Sequence, residues 1–96
     1  MIGAVIAMDS EAEALLSQME IKNILTVYGK HVYCGTASGK DILLCVCGVG
    51  KVNAAAGTCA VLGKGADVVF NFGVAGGLDE QTQLAEVYLI DRAVQY

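Results

Sequence analysis

The opening segment of the chain, Ile2 to Ala7, contains no polar side chain. A run this short and this apolar, closed by an acidic turn at Asp9, predicts a buried strand. A second, mostly apolar run, Asp67 to Phe72, lies far down the chain and breaks at once into Gly73-Val74-Ala75-Gly76-Gly77. Two such strands with helical and hairpin patterns between them limit the chain to an α/β architecture, a mixed central sheet flanked by helices.

The intervening elements follow from local signals. Ser10 with Glu13 three residues later has the form of a capping box. Ala12, Leu15, Leu16 and Met19 then recur at helical spacing, which predicts a helix over 10–20. Ile24 to Tyr28, His31 to Ala37 and Asp41 to Cys47 read as three strands of an antiparallel meander, with Gly29-Lys30 and Ser38-Gly39-Lys40 supplying the turns. A second helix is expected over 51–63, with Val52, Ala55, Ala56, Cys59 and Leu62 on one face and alanines that permit close packing on the sheet. Gly63-Lys64-Gly65 ends it. A sixth apolar segment, Val87 to Ile90, precedes Asp91. No repeat, linker or low-complexity stretch divides the chain, so residues 1–96 read as part of a single domain.

Composition narrows the partners. Of the 96 residues 55% are hydrophobic and only 17% charged, with a mean hydropathy of +0.57. That is more apolar material than a free-standing domain of this length needs. No run of about 18 uncharged apolar residues accounts for it as a membrane span, so the excess points to a second half or a second subunit. The net charge is −4 and the six Lys and Arg residues are scattered singly, which argues against nucleic acid and anionic membranes. Cys34, Cys45, Cys47 and Cys59 form no Cys-x-x-Cys pair, and His31 is the single histidine. They read as buried, reduced thiols and not as a metal site. The N-terminus lacks the basic region of a signal peptide, and a cytoplasmic location is expected.

Three junctions could carry chemistry, because open α/β sheets place ligands where strands give way to loops or helices. They are Ala7-Met8-Asp9-Ser10-Glu11, Gly48-Val49-Gly50-Lys51 and Asn71-Phe72-Gly73-Val74-Ala75-Gly76-Gly77. Each alone has an ordinary explanation. Gly48-Val49-Gly50 begins like a dinucleotide fingerprint, but Asn53 stands at the third glycine position and Val52 follows Lys51 where a P-loop needs Ser or Thr. Glu11 in a first helical turn is by default a carboxylate placed favourably against the helix dipole.

Taken together, the three motifs are far more specific. The apolar strand leading into Ala7-Met8-Asp9-Ser10-Glu11, the run Gly48 to Ala55 and the run Asn71 to Gly77 stand in an order and spacing that resembles the 5′-methylthioadenosine/S-adenosylhomocysteine nucleosidases, within the wider purine nucleoside phosphorylase/nucleosidase superfamily. The resemblance implies a phosphorylase/hydrolase-like fold of which this chain is the N-terminal portion, roughly the first two-fifths. It implies hydrolysis of the N-glycosidic bond with release of adenine, a place in methionine salvage, no metal or organic cofactor, a small-molecule nucleoside as substrate, and a homodimer. By matching positions, Glu11 would activate the attacking water. Met8 and Val49 would lie near the ribose and its 5′-alkylthio group. Val74, Ala75 and Gly76 would form the loop beside the nucleoside, where phosphorylases hold phosphate. The aspartate that protonates the leaving base, the ribose-binding glutamate and the adenine-stacking residues have no counterpart in these 96 residues, so little or no activity is expected of them alone. One departure stands out: Ala85-Glu86 replaces the family's usual Gly-Asp.

The chemistry is coherent with that reading. Breaking the bond builds positive charge on the ribose, which a carboxylate near C1′ both stabilises and matches with a deprotonated water. A nucleoside phosphorylase or a futalosine hydrolase of the same superfamily, and a non-catalytic nucleoside-binding or dimerisation fragment, stand as the alternatives.

Overall fold

The computed structural model describes residues 1–81, 83 and 86–95. Strand β1 (Ile2–Ile6) leads into helix α1 (Asp9–Gln18), followed by β2 (Glu20–Val27), β3 (Lys30–Ala37), β4 (Lys40–Val46), helix α2 (Lys51–Gly63) and β5 (Val68–Phe72). The five strands form one mixed sheet in the order β2-β3-β4-β1-β5. The meander β2-β3-β4 is antiparallel. Strand β1 lies parallel to both β4 and β5, with Ile6 level with Val46 on one side and Phe72 on the other.

The apolar character of β1 has a direct cause in this topology. Its side chains alternate between two covered faces. Ala4 and Ile6 pack with Leu44 against Ala12 and Met19 at α1. Val5 packs with Val32, Leu43 and Cys45 against Ala60 and Val61 of α2. Neither face of β1 meets water, so neither tolerates a polar residue. At the start of the strand the Met1 ammonium lies 2.6 Å from an Asp67 carboxylate oxygen, and the Asp67 amide donates to the Met1 carbonyl at 2.9 Å. These two contacts bring the chain back beside β1 as β5 begins.

Helix α2 approaches the sheet through its smallest residues. A Cβ at Gly57 would come within 2.5 Å of the Cys47 Cβ and 3.3 Å of a Val5 methyl, and one at Gly3 would come within 2.9 Å of a Val61 methyl. The buried side of α2 is therefore Gly57, Ala60 and Val61. This departs from the expected face. Val52, Ala55, Cys59 and Leu62 are exposed, Val52 to 84%, and only Ala56 is half-buried. Close packing selected the glycine side of the helix over the side with more apolar area.

Other expectations shift for equally local reasons. The capping box does not form. Met8, in extended conformation, is the N-cap with no side-chain cap bond, and its carbonyl accepts from the Glu11 and Ala12 amides at 3.1 Å each. Because β1 ends at Ile6, the helix begins at Asp9 and Ser10 is already inside its first turn. The hairpin turns are the two-residue pairs Tyr28-Gly29 and Ser38-Gly39, all four with positive φ as the right-handed twist of the strands requires. Lys30, read from the sequence as a turn residue, therefore belongs to β3. Strand β2 starts four residues earlier than its apolar pattern suggested, with a bulge between Ile21 and Asn23. The sixth apolar segment, Val87–Ile90, is exposed, irregular chain. Ala85 of the Ala85-Glu86 departure lies outside the described residues.

Candidate functional site

Parallel pairing puts the C-terminal ends of β4, β1 and β5 at one edge of the sheet, so the three glycine- and methionine-bearing junctions emerge side by side. The exits of β1 and β4 are stitched together. The Cys47 amide donates to the Ile6 carbonyl at 2.8 Å and the Gly48 amide to the Ala7 carbonyl at 3.0 Å.

Glu11 projects from the first turn of α1 toward the exit of β5. Its Oε2 accepts a 3.0 Å hydrogen bond from the Val74 amide. Gly73 makes the approach possible, since a Cβ there would stand only 3.3 Å from the same oxygen. Its other oxygen, Oε1, is buried and has no hydrogen-bond partner among the described residues. A buried carboxylate oxygen without a partner is costly. Glu11 itself lines a groove of about 1530 Å³, together with Phe72, Gly73, Val74, Ala75 and Gly76 and with further residues of β5 and of the chain around 86–93. One oxygen anchored to the backbone and one left free is an arrangement suited to accepting a proton or facing developing positive charge.

The structure brings Glu11, Val74, Ala75 and Gly76 together in that groove. Met8 and Val49 stand at the same sheet edge but do not line it, and both are exposed. Val74 is 89% exposed, so its backbone and not its side chain makes the contact with Glu11.

Two polar residues at this edge, Lys30 and Asn53, belong to the site without being marked by the three junctions. Lys30 Nζ donates to the Cys47 carbonyl at 2.7 Å and to Asn53 Oδ1 at 2.8 Å, and Asn53 Nδ2 donates to the Val49 carbonyl at 2.9 Å. The available signal was positional. A lysine directly after a two-residue turn, on the strand antiparallel to β4, must stand level with the end of β4.

The cysteines divide by burial. Cys45 and Cys47 are buried and Cys34 half-buried, whereas Cys59 is exposed, against the expectation that all four are covered. Burial pushes the Cys45 thiol up, neighbouring Cys47 adds to the effect, and the Lys30 ammonium opposes it. No group of three metal-ligating side chains occurs among the described residues, and no helix there is long and apolar enough to cross a membrane.

Known proteins resemble this chain in sequence and in fold. A 5′-methylthioadenosine/S-adenosylhomocysteine nucleosidase from Marinomonas sp. (strain MWYL1) is 35% identical over 96 residues, covering 99% of this chain and 42% of that protein. The crystal structure of the nucleosidase of that name from Neisseria meningitidis, in complex with methylthio-immucillin-A, superimposes with a TM-score of 0.80 at 35% identity, over 85% of this chain and 36% of that one. The futalosine hydrolase of Helicobacter pylori superimposes with a TM-score of 0.75 at 26% identity, over 85% and 36% of the two chains. The chain thus spans about two-fifths of the length of the curated relatives it matches. Its match to the phosphorylase superfamily runs through residues 1–96, and the chain belongs to that family.

Proposed function

We propose that this chain carries the water-activating side of an N-glycosidase that hydrolyses 5′-methylthioadenosine and S-adenosylhomocysteine, releasing adenine. The observation that carries the reading is the split environment of Glu11, with Oε2 fixed by the Val74 amide and Oε1 buried without a partner. Glu11 Oε1 takes a proton from water as that water attacks C1′, and its charge faces the cationic ribose of the transition state. Val74, Ala75 and Gly76 border the nucleoside, while Met8 and Val49 flank the ribose and its 5′-alkylthio group. Val74 presents an apolar side chain where a phosphorylase needs phosphate-binding polarity, which supports water as the nucleophile. No residue of this chain is assigned to protonate the leaving adenine, so residues 1–96 alone are expected to release little or none.

The names of the relatives support this substrate class. The likeness to a futalosine hydrolase favours a second reading, hydrolysis of futalosine by the same site. A homodimer and a cytoplasmic location belong to the first proposal, and the exposed apolar row Val52, Ala55, Cys59 and Leu62 on α2 supports the homodimer. Adenine release in phosphate-free buffer by the protein that carries these residues tests the reading. Turnover of 5′-methylthioadenosine without phosphate supports it, strict phosphate dependence makes the protein a phosphorylase, and turnover of futalosine alone selects the second reading.

A further inference from the structure

Gly48 and Gly50 adopt φ of +94° and +102°, conformations that few other residues take. Glycines hold such a turn without resisting its loss, so the loop between β4 and α2 needs fixing from outside. Its amide side is held by β1, through the Cys47 and Gly48 amides on the Ile6 and Ala7 carbonyls. Its carbonyl side faces the other way and is held by Lys30 and Asn53. The half-buried Lys30 side chain places its ammonium on the Cys47 carbonyl, just before Gly48, and on Asn53 Oδ1. Engaging Oδ1 leaves the Asn53 amide nitrogen to donate to the Val49 carbonyl, just after Gly48. Asn53 also fills the space over Gly48, where a Cβ would lie 2.9 Å from Asn53 Nδ2. Among the described residues no carboxylate pairs with Lys30. A lysine drawn from water onto a carbonyl and an amide oxygen, with no counter-charge, serves the geometry of the backbone it grips.

We propose that Lys30 is a positioning residue of the nucleoside site, acting with Asn53 to hold the Gly48–Gly50 loop and so to set where Val49 stands against the 5′ substituent of the ribose. This rests on the nucleoside reading given above. The latch reaches the 5′ end of the ligand and leaves the adenine end untouched, which gives it a signature that general destabilisation lacks.

The test takes the protein that carries these residues as the parent and compares it with Lys30→Met, which keeps the apolar stem, and Lys30→Arg, which keeps the charge. Amide hydrogen exchange reads the latch directly: Lys30→Met speeds exchange at Gly48 and Ala54 by about tenfold or more while the core amide of Leu44 keeps its rate. Steady-state kinetics and calorimetric titration read the ligands: Lys30→Met raises KM for 5′-methylthioadenosine about tenfold and leaves adenine binding unchanged. Lys30→Arg restores most of both. Unchanged exchange at Gly48 and Ala54, or equal loss of both ligands, overturns the inference. A parent protein that binds neither ligand overturns the nucleoside reading itself, and the assignment of Lys30 to that site falls with it.

Discussion

Glu11 and Val74, 63 residues apart in the chain, meet through a 3.0 Å bond from the Val74 amide to Glu11 Oε2. The bond uses one carboxylate oxygen and a backbone donor. An amide side chain can therefore replace the carboxylate without losing the contact. Glu11→Gln should leave the melting temperature near that of the parent while lowering turnover of 5′-methylthioadenosine by about 10²–10⁴-fold, the usual contribution of a general base. A variant that keeps full turnover would remove Glu11 from the reaction.

Gly57 gives the opposite case, where a small change should be costly. Alanine is the better helix former by about 1 kcal/mol, yet its Cβ would collide with the Cys47 Cβ, which is backbone-anchored and cannot swing away. Gly57→Ala should destabilise the fold by about 1–3 kcal/mol in urea unfolding. Gly63→Ala, with nothing within 4 Å of the new methyl, should be neutral or slightly stabilising.

The acid limb of stability should report on Asp67. Its pKa is lowered from 3.8 by the hydrogen bond from the N-terminal ammonium and then by that group's charge. A carboxyl whose folded pKa is depressed contributes stability that is fully present above its unfolded value and is lost as pH falls through the folded one. Asp67→Asn should therefore shallow the loss of stability below about pH 4 and leave the neutral plateau nearly unchanged, as expected for an exposed pair. Acetylation of the Met1 amine should act in the same sense.

Thiol labelling should follow burial. In the native protein near pH 8, Cys59 should react first, Cys34 later, and Cys45 and Cys47 only on unfolding. The raised Cys45 pKa adds to its protection. Fast labelling of Cys45 would show that α2 lifts from the sheet under native conditions.

Much of this architecture was legible in the residues themselves. Ile2 to Ala7 announced a strand covered on both faces, and Ala12, Leu15, Leu16 and Met19 announced the inner face of α1, because hydrophobic spacing is a local signal. The inner face of α2 was not legible from that spacing. Val52 and Leu62 carry more apolar area than Gly57 and Ala60, but the distance of closest approach decided, and that distance depends on Cys47 and Val5 elsewhere in the chain. The start of strand β2 carries little apolar signal, because Glu20 to Asn23 lie exposed on the sheet edge and are held by pairing with β3. For the site, three motifs in order carried the family. They did not reveal which oxygen of Glu11 is free, nor that Lys30 grips the loop before α2, since both depend on pairings across the sheet.

Strand β1 is made first, yet it pairs with β4 at Ile2–Ile42 and with β5 at Ile2–Val68, both far along the chain. The two hairpins β2-β3 and β3-β4 close through two-residue turns and can form within microseconds. The middle of the sheet must wait, since its contacts carry the largest loop-closure entropy in the domain. Until Phe72 has docked beside Ile6, Glu11 has no Val74 amide to meet. Contact order thus predicts that the site assembles late in folding, and stopped-flow refolding should show the Glu11–Val74 contact forming after the two hairpins.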